Sequence, residues 1–310
     1  MIQKFLTLCV LLFVSSFLFA QKKKDSTVKV DENYITLSEI VINNKLDVLS
    51  FIERVKNDTT FYKAFRNLRV ISYTAINDIR MFDRKGNIQA SLRSKTKQLR
   101  VENCRKMETL DQAVTGDMLD DKGNFNYYTA QMYAGLFFTK DSVCGENNIV
   151  KGHEFSTNGL SGMEKHKEQL KMLFFNPGKK INGLPFISNK TEIFDASMAD
   201  KYDMNIDYKD YDSIPCYVFT IKVKDNKKSD VVIDEMTTWF NEKTFEIIAR
   251  NYSLSYDAGF YDFKVDMEVR MTKIGNLLVP SVLKYNGNWK AIFKKRERGI
   301  FTATLFDFAK

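Results

Sequence analysis

The stretch YDFKVDMEVRMT, Tyr261 to Thr272, alternates apolar and polar residues with no interruption. Tyr261, Phe263, Val265, Met267, Val269 and Met271 fall on one parity; Asp262, Lys264, Asp266, Glu268, Arg270 and Thr272 fall on the other. A strand turns successive side chains to opposite faces, so such a segment has one oily face and one charged face. Around it stand further strand candidates: IPCYVFTIKVK, DVVIDEMTTWF, FEIIARNYSLSY, LLVPSVLKYNG and IFTATLFDF. KDNKKS, NEKT, DAG, IGN and NGNWK separate them. Consecutive strands on short turns predict an antiparallel meander. Strands of about 10–12 residues reach roughly 35–40 Å, and twist accumulating over that length curls a sheet. Aromatic content supports long strands, with 25 Phe and 14 Tyr against only 4 Pro. The question the alternation leaves is what the oily face covers: the protein's own core, a greasy ligand or a membrane.

The first half mixes element types. Tyr34–Ile42 reads as a short strand. Leu46, Leu49, Ile52 and Val55 recur at helical spacing, predicting a helix over about 45–65 with Asn44 as its cap. Strands flank DRKGN, Asp83–Asn87, where Gly and Asn supply the positive φ of a tight turn. DDKGN, Asp120–Asn124, repeats that turn chemistry. FNYYTAQMYAGLFFTK reads as a strand or a buried loop. A second helix opens at Asn158 or Ser161, carries Leu170, Leu173 and Phe174 on its oily edge, and stops at Asn176-Pro177-Gly178. The expected fold is α+β, mostly β: one strongly curved antiparallel sheet, a half-barrel, with two helices packed on its concave side. Residues 34–310 are read as this single domain.

The amino terminus bears on the compartment. Lys4 precedes an apolar run from Phe5 to Phe19, and Ala20-Gln21 offers a cleavage point. The run is short for a span of about 20 residues, so residues 1–20 read as a signal peptide and 21–33 as a linker; an uncleaved anchor is the alternative. Cys104, Cys144 and Cys216 remain after such a cleavage and allow at most one internal disulfide, of open pairing, plus a free thiol. No CxxC spacing indicates a zinc or redox site. The net charge of +8 comes from 47 basic residues interspersed with 39 acidic ones, which reads as a mixed solvated surface and excludes a nucleic-acid footprint.

Motifs that would carry catalysis are missing or fit structural roles. His153 and His166 lack metal-ligand spacing. GLSG, Gly159–Gly162, resembles a nucleophile elbow but opens a helix, so Ser161 reads as a cap. Asp203, Asp207, Asp210 and Asp212 lack the Gly and Glu of a calcium loop and read as a solvated loop. KKRERG, Lys294–Gly299, is a charged hairpin end or a contact for anionic lipid headgroups. No catalytic residue, metal ligand or cofactor is assigned. The candidate ligand face is apolar: Trp239, Phe263, Val265, Met267, Val269 and Met271. Met132, Met163, Met172, Met198 and Met236 add soft apolar surface that suits a core or a greasy partner.

The order of the last third, IPCYVFTIKVK through TTWFNEKTFEIIA to YDFKVDMEVRMT and SVLKYNGNW, resembles the LolA/LolB-like half-barrels of bacterial outer-membrane lipoprotein sorting. Over roughly residues 35–310, including EQLKMLFFNPGKKINGLPFI, the chain also resembles a family of secreted Bacteroidetes proteins with no assigned activity. The first resemblance implies an exported envelope protein, periplasmic or at the cell surface, that binds or carries a lipidic group. Its implied partners are a lipid, a lipoprotein acyl chain or an envelope protein. Three other readings stand beside it: a structural or interaction module without a ligand, a hydrolase with dispersed catalytic residues, and an outer-membrane barrel, against which the two predicted helices and the charged loops argue. The tripeptides at Asp25, Asp58, Asp141 and Asp212 resemble the O-glycosylation sequon of Bacteroidetes envelope proteins.

Overall fold

The computed structural model describes residues 25–150, 172–180, 190–257, 262–290 and 295–310. Its strands are β1 (Ser26–Val30), β2 (Asn33–Leu37), β3 (Ser72–Phe82), β4 (Ile88–Val101), β5 (Cys104–Gly116), β6 (Ser142–Cys144), β7 (Tyr202–Tyr211), β8 (Ile214–Val223), β9 (Ile233–Asn241), β10 (Ile247–Asp257), β11 (Asp262–Ile274), β12 (Leu277–Lys290) and β13 (Glu297–Ala309). All belong to one open, curved sheet in the order β1-β2-β7-β8-β9-β10-β11-β12-β13-β3-β4-β5-β6. The predicted meander is the run from β8 to β13, each strand antiparallel to the next, and β7, whose aspartates read as a solvated loop, extends it by one further antiparallel strand. Beyond it the carboxy-terminal strand pairs with β3, which joins the two halves of the chain edge to edge.

Two features depart from the expected sheet. Ser26–Val30 lies in the segment read as a linker and forms the edge strand β1. The β2–β7 pair is parallel in an otherwise antiparallel sheet. A parallel pair needs a long crossover, and here the whole β3–β6 half of the sheet separates its two strands in sequence.

Helices α1 (Glu39–Asn43), α2 (Val48–Asn57), α3 (Thr60–Asn67) and α4 (Tyr128–Phe137) accompany the sheet. The strand expected over 34–42 therefore ends early, at Leu37, and continues as α1. The single helix expected over 45–65 is two. Asp58 is extended, with ψ 127°, and its Oδ1 accepts from the Thr60 backbone and hydroxyl, ending α2 and opening α3. The DTT tripeptide thus forms a helix start. Asp47, not Asn44, caps α2, accepting from Ser50 N at 3.2 Å. The segment read as a strand or buried loop is helix α4. Of the second expected helix, residues 172–175 are helical, and the remainder, with His153, Ser161 and His166, lies outside the described residues. The four-aspartate segment forms β7 and the turn after it, where Asp212 and Ser213 take φ of 48° and 67°.

The helices cover one face of the sheet. Phe51 of α2 enters a cluster with Tyr217, Phe219, Phe240 and Phe245. Phe65 of α3 meets Phe175 at 4.3 Å between ring centres, and Tyr133 of α4 stacks on Phe301. An ionic contact lies beneath this layer. The guanidinium of buried Arg250 sits 4.3 Å over Phe61, donates to Thr238 Oγ1 and reaches Asp58 at 4.0 Å. Burial lowers its pKa, and the Asp58 carboxylate opposes that effect.

Candidate functional site

The alternating strand β11 places its oily parity inward. Phe263, Val265, Met267 and Val269 are buried, and Met271 packs against the same core. Register carries the face across the sheet: Met267 lies opposite Tyr252 and Tyr285, and Phe263 opposite Trp289. The Phe263 and Trp289 rings stack at 4.9 Å. Above them, Phe174 approaches both Tyr285 and Trp289, and the Tyr252 hydroxyl donates to the Phe174 carbonyl. Trp239 stands apart. It is opposite Val218 and Ala249, one residue off the inward positions Thr238 and Phe240, and its ring contacts Tyr211 on the outer face. Five of the six expected site residues therefore share a face and the sixth does not. None of the six lines the cleft beside α4 or the smaller cavity behind it.

The larger opening lies at the other end of the sheet, where the helical cover stops. From Glu108 to Gly116 every residue of β5 is exposed, on both faces. Helix α4 leans toward β13 with Tyr133 and leaves a cleft of about 520 Å³ between its other side, β4–β5 and residues 119–125. Leu92, Phe125, Met132 and Phe138 form apolar walls, with Gln112 and Lys140 as polar members. That volume falls in the range typical of small-ligand sites, roughly 300–1,000 Å³.

Local chemistry holds these walls. In the DDKGN turn, Asp120 Oδ1 accepts from the backbones of Lys122 and Asn124, and Gly123 takes φ 77°. The Asn124 side chain and backbone hold the Asp120 carboxyl below its ordinary pKa. The turn closes a Leu119–Phe125 bridge and so aims Phe125 at the cleft. DRKGN is built in the same way on Asp83. The opposite wall, α4, has no cap of its own. Its first free amides, Tyr128 N and Thr129 N, donate to Glu297 Oε1 and Oε2 at 2.9 and 2.7 Å. Glu297 belongs to the KKRERG segment, so that segment's described part is tied down: Arg296 pairs with Asp262 at 2.7 Å, and Arg298 donates to the Arg84 carbonyl.

Behind α4, a smaller cavity of about 80 Å³ is lined by Arg66, Arg69, Arg105, Gln98, Tyr73 and Phe137 among others. Gly135 and Phe138 border both spaces. Gln98 Nε2 donates to the Leu68 and Ile71 carbonyls, which leaves its Oε1 to accept from Arg105. Glu146 pairs with Arg69 and Arg105. Burial alone would raise the Glu146 carboxyl; the hydrogen bond and charge of Arg105, with Arg69 and Arg66, outweigh it and keep the pKa low. Burial pushes the Tyr73 phenol up to about 12 against the pull of Arg105. The disulfide Cys104–Cys144 joins β5 to β6 and holds Glu146 beside the cavity. Among the described residues Cys216 is the free thiol; it is buried, which raises its pKa. No group of three or more His, Cys, Asp or Glu suited to a metal occurs among the described residues.

Sequence reasoning named Met132 as a soft apolar residue but missed Leu92, Phe125, Phe138 and the three arginines. The strand alternation drew attention to β11, whereas the openings form where β5 is left without cover.

No family model matches the chain, and no curated protein matches it. Among solved structures, a domain named as an outer membrane lipoprotein-sorting protein from Vibrio parahaemolyticus aligns over 79% of this chain and 88% of its own. The identity is 9% and the TM-score 0.26. A DUF1329 family protein from Desulfovibrio piger aligns over 80% and 89%, at 12% identity and TM-score 0.24. Superpositions this loose say nothing of ligand or partner.

Proposed function

We propose that this chain is an exported envelope protein that binds an apolar or lipidic group in the cleft between α4 and β4–β5. The observation that carries the reading is the cleft itself: about 520 Å³ of open space walled by Leu92, Phe125, Met132 and Phe138. Apolar walls with a few polar groups at known positions are the usual composition of a small-molecule site. Phe125 and Phe138 are only partly buried, and covering their remaining apolar surface is favourable, at roughly 25 cal/mol per Å². Export is supported by the leader read in residues 1–20 and by the Cys104–Cys144 bond, since disulfides persist mainly in oxidising compartments. The ligand position differs from the β11 face expected from sequence, because that face lies under the helices.

Ala134, which borders the cleft, provides the test. Ala134→Trp fills the space from the helix side. Wild type is expected to bind a fluorescent long-chain acyl probe, and the variant to lose at least tenfold in affinity with an unchanged circular dichroism spectrum. Equal binding by a folded variant, or no binding by wild type, would sink the reading.

A further inference from the structure

The 80 Å³ cavity behind α4 has a chemistry unlike the cleft. Three arginines line it, and no Asp or Glu does among the described residues. Glu146 approaches from the side and engages Arg69 Nη1 and Arg105 Nε. Among the described residues, three guanidiniums facing one carboxylate leave about two positive charges uncompensated. Arg69 registers this crowding: burial first, then the charges of Arg66 and Arg105, lower its pKa, with Glu146 acting against them. Arg66 is the least satisfied of the three. Its Nη2 donates to the Asn147 carbonyl at 3.0 Å, and its Nε is buried with no hydrogen-bond partner among the described residues.

A purely structural role does not account for this set. Holding the 144–147 segment takes the disulfide and one arginine on Glu146; Arg105 already makes that bond and two more, to Gln98 and Thr139. A buried guanidinium donor left unmade is costly, and like charges at close range repel. An oxyanion would remove both penalties, because guanidinium donors match the oxygens of phosphate and carboxylate. The space suffices: a water needs about 10–15 Å³ on the same measure, so 80 Å³ holds several, or one compact oxyanion. The walls add Tyr73 and Phe137, a low-dielectric setting that strengthens such a contact.

We infer that Arg66, Arg69 and Arg105 form an oxyanion subsite, and that the ligand is an anionic amphiphile with a phosphate or carboxylate head. Its head occupies the arginine cavity and its tail the apolar cleft, the two being linked past Gly135 and Phe138. Gly135 suits that passage, since a Cβ added there meets nothing within 4 Å. This inference rests on the apolar-cleft reading for the tail but not for the head.

Titration calorimetry on the purified chain separates the two parts, using three probes: lysophosphatidic acid, the monoacylglycerol of the same tail, and inorganic phosphate. Lysophosphatidic acid is expected to bind at least tenfold more tightly than the neutral analogue. Arg66→Gln combined with Arg69→Gln is expected to abolish that preference while leaving monoacylglycerol binding and the melting temperature nearly unchanged. Phosphate is expected to bind weakly and to lose binding in the same variant. Equal binding of the two amphiphiles overturns the subsite and leaves the cleft reading intact. Arginine-dependent phosphate binding without binding of either amphiphile supports the subsite and overturns the cleft reading. An anion preference that persists in the folded variant overturns the assignment to these arginines.

Discussion

Gly287 shows how closely single residues are fitted in the core. It sits in β12 between Tyr285 and Trp289, and a Cβ built there would lie 1.7 Å from the Tyr285 hydroxyl oxygen. The tyrosine ring leans along its own strand over the glycine, and Trp289 Nε1 donates to its hydroxyl. Glycine in a strand interior often marks such a close approach. Gly287→Ala is therefore expected to destabilise by about 1–3 kcal/mol through overpacking, more than the gain from a stiffer unfolded chain. Thermal unfolding checks this; an unchanged midpoint would show that Tyr285 can move aside freely. A different residue-scale demand applies at Gly116, whose φ of 64° and 2.0 Å Cβ approach to the Gln89 carbonyl exclude a side chain.

Among the elements, α4 depends on a distant residue. A local cap opens α2 through Asp47, and Asp58, just before α3, accepts from the first residue of that helix. Helix α4 instead takes its cap from Glu297, 168 residues beyond Thr129. A carboxylate at a helix N-terminus satisfies free amides and complements the dipole. Glu297→Gln is expected to speed hydrogen exchange of the 128–137 amides by about tenfold while β11 and β12 stay protected, a loss of about 1.4 kcal/mol. Exchange that rises uniformly over the sheet would show a global effect instead. The same dependence explains the misreading of this segment. TAQMYAGLFF is apolar nearly all round, and with no local cap a buried helix of that length cannot be told from a buried strand.

For the whole molecule, the disulfide links the start of β5 to β6 and carries Glu146 beside the arginine cavity. Its cysteines are 40 residues apart, so the closed loop is long enough for a cross-link contribution of about 3–4 kcal/mol. Cys104→Ser with Cys144→Ser is expected to lower unfolding stability by about 2–4 kcal/mol, measured by denaturant titration. A shift under 1 kcal/mol would mean that β6 is held by its other contacts.

The long alternating strands, their order from β8 to β13 and the two Asx turns were legible in the sequence, because strand period and turn chemistry are local properties; β7 was not, because its four aspartates mask the strand period. So was a limit of one disulfide among Cys104, Cys144 and Cys216, though not its pairing. The joining of β13 to β3, the parallel β2–β7 pair, the bare end of β5 and the gathering of Arg66, Arg69 and Arg105 were settled only in the tertiary structure. Each depends on residues far apart in the chain meeting across the sheet, and no local pattern encodes which distant segment covers a strand. Alternation required the inward residues of β11 to be buried. Only the placement of the helices decided that they are buried by protein, and that the open space lies behind Phe125 and Phe138.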